Sequence, residues 1–219
     1  MSEPIFQTYE CENPTCRLRF PTDLSVSSIE HCPSCGSLMH SIDSPYSNYQ
    51  RTPSESLTGA TSISILLDNL RSAQNVGSIF RTANGCGVKH VYCCGTTPTP
   101  EHHGVKKSSL GAEQFTGWSY HPNSLLMAAE LKVNHNFLIA VESTPDATSL
   151  LESPDFLVNH PELTLIFGNE ISGIDPQLLK QAHQVMYIPM TGNKSSLNVA
   201  VSVGIVLYLV VKLIFSQVH

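Results

Sequence analysis

The sequence predicts an α/β domain built on a mostly parallel sheet, preceded by a small cysteine-stapled module. Three observations carry this reading. Past residue 61, short apolar runs alternate with segments of helical period, the order from which parallel sheets are built. Before residue 41, four of the seven cysteines fall in two close pairs. Between these regions, residues 41–61 are rich in serine, contain Pro45 and Pro53, and lack an apolar period. A length of 219 residues allows one full-sized core plus an appendage, and 41% hydrophobic against 14% charged residues is a globular composition. The expected organisation is a zinc-ribbon-like module over 1–40, a linker over 41–61 and a larger domain over 62–219. A flexible linker of that length spans roughly 25 Å.

The module has the spacing Cys11-x4-Cys16-x15-Cys32-x2-Cys35. Two knuckles separated by a loop can bring four thiolates together around a tetrahedral zinc ion. Incidental thiols, or a redox pair at Cys32 and Cys35, are the alternatives. Zinc is favoured because so short a segment cannot fold on apolar burial alone. The first ten residues, MSEPIFQTYE, lack the basic and apolar regions of a secretory signal. A cytoplasmic setting is therefore expected, where paired cysteines bind metal rather than bridge. Such ribbons are usually structural, and Arg17, Arg19 and Phe20 are candidate contacts to RNA or protein.

In the larger domain, 63–68 (ISILLD) reads as a buried strand. Residues 74–86 read as a helix with Val76, Ile79, Phe80 and Ala83 at core spacing. A strand follows over 88–94, then a long polar stretch over 95–122 that reads as a functional loop. Next come a helix over 124–133, strands over 136–143 and 163–167, a helix over 176–182 and a short strand over 185–188. The last segment, 196–215, is almost wholly apolar. Its run without a polar side chain is only nine residues, 203–211, short of the roughly 20 that a bilayer needs. A buried core or interface helix is expected there, not a membrane anchor.

Three segments are unusually polar for their position after strands. In 67–88 (LDNLRSAQNVGSIFRTANGCGV), Gly77 and Arg81 share the helix face opposite the apolar one. The small residue leaves room for a ligand to approach, and the guanidinium offers a fork of donors to a phosphate. Asn75 lies near the helix start, where backbone donors are free. In 167–175 (FGNEISGID), a glycine ends a strand and is followed by Asn169 and Glu170, the place where open α/β sheets bind ligands. In 188–204 (IPMTGNKSSLNVAVSVG), Ser195 or Ser196 is expected to cap a helix, with Asn198 inside its first turn.

Other chemistries find no support. There is no Walker A loop and no G-x-S-x-G, and GCGVKH follows a helix rather than a strand. Cys86, Cys93 and Cys94 read as buried thiols. The formal net charge of −6 disfavours a protein that coats nucleic acid by bulk charge. Only residues 61–120 carry a positive excess, with five basic against three acidic side chains. Arg71, Lys106 and Lys107 in that stretch are the candidate RNA-phosphate contacts.

Taken together, NVGSIFRTA, IFGNEISGI and IPM…SSLNVAVSVG resemble the three motifs of the SpoU (TrmH-like) family of SPOUT methyltransferases, over residues 63–215. The resemblance implies a parallel α/β domain whose C-terminal part is threaded as a trefoil knot, against the general rule for connections. It implies a homodimer and methyl transfer from S-adenosylmethionine to a ribose 2′-oxygen of tRNA or rRNA. By motif position, Gly168, Ile188, Met190, Leu197 and Asn198 belong to the cofactor loops. Asn75, Arg81, Glu170, Ser196 and Asn198 belong to the reaction centre. The family view makes the arginine the base, whereas a guanidinium that stays protonated more readily clamps a phosphate or stabilises an oxyanion. Glu170 is either a structural acceptor for backbone or Asn75, or an anchor for the cofactor's amino end. The cysteine module and the lack of a strongly basic surface depart from the simplest members. A non-catalytic RNA-binding or assembly factor and a base-methylating knot enzyme are the rival functions.

Overall fold

The computed structural model describes residues 5–26, 29–47, 61–152, 159–194 and 196–218. The chain forms two compact units that divide between Ser54 and Glu55. The smaller is an antiparallel sheet of β1 (Ile5–Cys11), β2 (Arg19–Asp23) and β3 (Met39–Ser47), in the order β2-β1-β3. β3 takes up residues 41–47, which composition assigns to the linker. Its serines and Pro45 lie on an exposed edge strand, which needs no apolar alternation and tolerates a missing N–H. The rest of that linker, 48–60, lies outside the described residues. Among the described residues, the buried apolar cluster of this unit is Cys11, Cys32 and Met39, with Tyr9, Leu18 and Phe20 packed against it. Phe20 thus packs its own unit, and Arg17 and Arg19 both pair with Glu10, at 3.4 and 3.5 Å.

Among the described residues, the larger unit holds seven strands in the order β6-β5-β4-β9-β7-β10-β8, every pairing parallel. They are β4 (Ser62–Asp68), β5 (His90–Cys94), β6 (Gly117–His121), β7 (Phe137–Val141), β8 (Thr148–Ser149), β9 (Glu162–Phe167) and β10 (Gln184–Tyr187). The helices are α1 (Ala73–Gly85), α2 (His103–Ser109), α3 (Ser124–Val133), α4 (Pro176–Gln181) and α5 (Val199–Val218). Pleating splits the central strands between two cores. Ile63, Ile65 and Leu67 of β4 face α1 and α5, while Leu66 faces α3 and α4. Caps set the helix starts: Asn123 Oδ1 accepts from Leu125 and Leu126 N–H ahead of α3, and Asp175 caps α4 before Pro176.

Residues 95–122 are not a loop. They contain α2, a 3-10 turn at Ala112–Gln114 and the edge strand β6. Lys106 and Lys107 therefore sit on a helix. The seven residues of α2 bury only Val105 and Ser109, too few to register as a period. Gly77 lets this helix dock: a Cβ there would lie 2.5 Å from the Val105 carbonyl oxygen and would strike the Ser108 hydroxyl. The space at Gly77 thus belongs to α2 and not to a ligand. Gly77→Ala is expected to destabilise the larger unit by about 1–3 kcal/mol, read as a lowered Tm.

In α5, Val203, Val206, Leu207 and Val210 are fully buried, while Val201, Ile205 and Tyr208 are 50, 41 and 73% exposed. Among the described residues, no helix is long and apolar enough to cross a membrane.

Candidate active site

The carboxyl ends of β7, β9 and β10 and the start of α5 surround a cavity of about 230 Å³. This is where parallel sheets present ligand sites. Gly168, Ile188, Met190 and Leu197, which the motifs assign to the cofactor, all line it, as do Glu170 and Ser196. Asn75, Arg81 and Asn198 are not part of the lining. The sequence reading missed Val141, Glu142, Ser143 and Tyr187, which also line it. The available signal was their position at strand ends, where polar residues follow an apolar run.

The loop after β9 is held by its own hydrogen bonds. Asn169 and Gly173 exchange backbone bonds at 3.0 Å, and Asn169 Oδ1 accepts from Ile171 and Ser172 N–H at 2.9 and 3.1 Å. Gly168 is needed for this closure, because a Cβ there would lie 2.6 Å from the Gly173 carbonyl oxygen. Asp68, 1% exposed at the end of β4, fastens the far side by accepting from Asp175 N–H at 3.0 Å.

Three of the predicted reaction-centre residues form one network. Glu170 accepts from Arg71 N–H at 3.0 Å, Ser72 N–H at 3.2 Å and Asn75 Nδ2 at 2.9 Å. Asn75 Oδ1 accepts from Asn198 Nδ2 at 3.0 Å. Glu170 is thus the structural acceptor at the start of α1, where helix N–H groups lack partners. Burial by itself would raise its carboxyl, but the Arg71 N–H, the Asn75 amide and the Ser72 N–H outweigh burial and hold it below the usual range. Asn198, not Ser196, caps α5: its Oδ1 accepts from Ala200 N–H at 2.9 Å. Asparagine serves as well as serine at that position, and Ser195 lies outside the described residues.

Arg81 is exposed and lies six residues beyond Asn75, about 9 Å along α1. Arg71, Lys106 and Lys107 are exposed too, and among the described residues none of these four cations forms an ion pair. All four lie on α1, on α2 or on the turn into α1. Among the described residues, two carboxylates and no basic side chain line the cavity. That charge balance suits a cationic ligand such as a sulfonium, and disfavours a di- or triphosphate.

In the smaller unit, the sulfurs of Cys11, Cys16, Cys32 and Cys35 all lie within 4.8 Å of one another. Cys11 and Cys35 are 3.4 Å apart, and Cys16 and Cys32 are 3.8 Å apart. A zinc tetrathiolate with bonds of about 2.3 Å has sulfur–sulfur edges of about 3.8 Å, so the four residues fit the ion. The Ser37 side chain and N–H hold the Cys35 thiol down, at about 6. Burial pushes Cys93 and Cys94 up to about 12 and raises Cys86, as expected of inert core thiols.

An all-parallel sheet with an acidic cavity at its carboxyl edge, and an Asn–Glu–Asn network beside it, defines an α/β protein with a candidate ligand site at the strand ends. The SpoU rRNA methylase family model matches residues 62–208. The chain is 30% identical over 150 residues to the 23S rRNA (guanosine-2'-O-)-methyltransferase RlmB of Acinetobacter baylyi, covering 66% of this chain and 57% of that one. It is 27% identical over 152 residues to the tRNA (guanosine(18)-2'-O)-methyltransferase of Aquifex aeolicus, covering 66% of each. The SpoU methyltransferase AviRb of Streptomyces viridochromogenes, solved with AdoMet, shares the fold with a TM-score of 0.64 at 22% identity, over 84% of this chain and 71% of that one. The chain belongs to the SpoU rRNA methylase family. It spans between about half and two thirds of the length of these curated relatives.

Proposed function

We propose that the chain is an S-adenosylmethionine-dependent methyltransferase acting on a ribose 2′-hydroxyl of tRNA or rRNA. One observation carries the reading: the Glu170–Asn75–Asn198 network joins residues from all three polar segments beside a lysine-free, acidic cavity. The names of the RlmB and Aquifex relatives supply the reaction and the class of RNA.

When bound, the donor supplies an electrophilic methyl on a sulfonium. The chain's own task is mostly positioning, since in-line displacement needs the sugar oxygen, methyl and sulfur aligned. Gly168, Ile188, Met190 and Leu197 hold the donor. The linked amides of Asn75 and Asn198 fix the start of α1 against that of α5. Arg81, set back along α1, clamps the phosphate next to the target ribose and stabilises charge developing on the oxygen. The hydroxyl proton leaves through that phosphate or water. Arg71, Lys106 and Lys107 add phosphate contacts, so RNA affinity falls steeply with salt. The smaller unit holds structural zinc, consistent with a reducing cytoplasmic setting. A second copy of the chain covers the apolar groove formed by Leu151, Pro189, Val201, Ile205 and Tyr208. Threading as a trefoil knot belongs to the same reading, supported by the late strand β10 lying between the earlier β7 and β8.

Labelled-methyl transfer to total RNA, followed by mapping of the modified nucleotide, tests the proposal. An alkali-resistant linkage at the site is the expected result. An alkali-labile one points to base methylation, and no transfer points to an assembly factor. Arg81→Ala is expected to lose about 10²–10³-fold in turnover while calorimetry finds donor binding unchanged; undiminished turnover would remove Arg81 from the mechanism.

A further inference from the structure

Two carboxylates line the cavity, and the protein occupies them unequally. Glu170 receives three donors from the start of α1. Glu142, the first residue after β7, receives one backbone donor at each oxygen: Ile174 N–H to Oε2 at 3.0 Å and Ser143 N–H to Oε1 at 3.1 Å. A carboxylate offers about four acceptor positions, so each oxygen keeps one. The side chain is also held in place. The backbone N–H of Glu142 donates to Met186 O at 2.9 Å, which fixes the residue at the end of β7. Gly173 makes room for the carboxylate, since a Cβ there would lie 2.6 Å from Oε2, and Gly173 has φ +72°.

The strand order decides which part of a ligand meets Glu142. β9 lies between β4 and β7, so the loop of 168–174 separates Glu142 from the start of α1. The methyl to be transferred belongs beside the Asn75–Glu170–Asn198 network, where the RNA sugar is proposed to sit. The non-reacting part of the donor then extends toward β7. Adenosine there carries a vicinal diol, two hydroxyl donors matched to the two remaining acceptor positions. Carboxylates hold ribose in this way in other α/β nucleotide sites.

We infer that Glu142 is a specificity-determining residue that accepts hydrogen bonds from the 2′- and 3′-hydroxyls of the methyl donor's ribose. The inference rests on the reading of the cavity as a sulfonium-donor site. Calorimetry on the full chain tests it with four ligands: S-adenosylmethionine, S-adenosylhomocysteine, 5′-methylthioadenosine and 2′,3′-dideoxy-S-adenosylhomocysteine. Wild-type protein is expected to bind the dideoxy ligand about 10–100-fold more weakly than S-adenosylhomocysteine. This comparison needs no variant to fold. Glu142→Gln keeps an oxygen for Ile174 N–H. It is expected to weaken the three ribose-bearing ligands by that same factor and to erase the dideoxy penalty. A loss confined to S-adenosylmethionine would assign Glu142 to the sulfonium, and a loss that spares only 5′-methylthioadenosine would assign it to the ammonium; either would overturn the inference. So would a dideoxy penalty that survives in Glu142→Gln, or none in wild type. Failure of wild-type protein to take up any of the four overturns the donor-site reading itself, and this assignment with it.

Discussion

Glu170→Ala is expected to cut methyl transfer about 100-fold or more while leaving the protein folded. The carboxylate collects Arg71 N–H, Ser72 N–H and the Asn75 amide, and Asn75 in turn receives Asn198 Nδ2. Removing it frees the start of α1 from the loop after β9 and lets the Asn75 amide rotate away from Asn198. The orphaned N–H groups are near the surface and water can reach them, so the stability cost stays at about 1–2 kcal/mol. Catalysis suffers more, because a displacement of about 1 Å in a positioning site costs on the order of 100-fold. A variant with wild-type turnover would remove the network from the reaction.

The same contact gives a pH signature with a definite sign. The carboxyl of Glu170 is lower in the folded chain than in the unfolded one. Its contribution is therefore fully present above the ordinary carboxylate range and is lost as pH falls through the lowered folded value. Activity and Tm should both decline on the acid side of that range. Glu170→Gln, which cannot titrate, should show no such limb from this position. An identical acid limb in both proteins would contradict the assignment.

Loss of metal should have the largest structural effect. Treatment with a strong chelator, or Cys11→Ser, is expected to unfold the smaller unit and leave the seven-stranded sheet intact. Cys11, Cys32 and Met39 are the buried apolar residues of the smaller unit's core cluster. Structural zinc contributes on the order of 10–16 kcal/mol in comparable small sites, far more than such a core can replace. Amide resonances of residues 5–47 should collapse on chelation, while the thermal transition of the larger unit stays where it was. One zinc per chain should be released. Dispersed resonances persisting in metal-free protein would contradict the assignment.

Much of this was legible in the residues because local pattern and burial agree there. The helix expected over 124–133 is α3 to the residue, and Val76, Ile79, Phe80 and Ala83 are all buried on α1. Amphipathic period survives in a single sequence whenever one helix face meets a large core. β3, α2 and β6 gave no such sign. β3 and β6 lie at sheet edges, and the period of α2 is replaced by one close approach at Gly77. In the site, residue types pointed to Glu170, Asn75 and Asn198, but which oxygen faces which amide could not be read. Three elements far apart in sequence had to meet first.

The alternating order of strands and helices, the four-thiol spacing and the polar residues at the strand ends can all be read along the chain. Each of these depends on neighbours a few positions away, or on residue chemistry alone. Only the folded chain shows that Glu170 anchors α1, that Asn198 rather than Ser196 caps α5, that Gly77 serves a helix contact, and that Glu142 faces the cavity. The reason is that hydrogen-bond partners and free volume are set by distance in space. A parallel sheet brings residues up to 123 positions apart within hydrogen-bonding reach at its carboxyl edge.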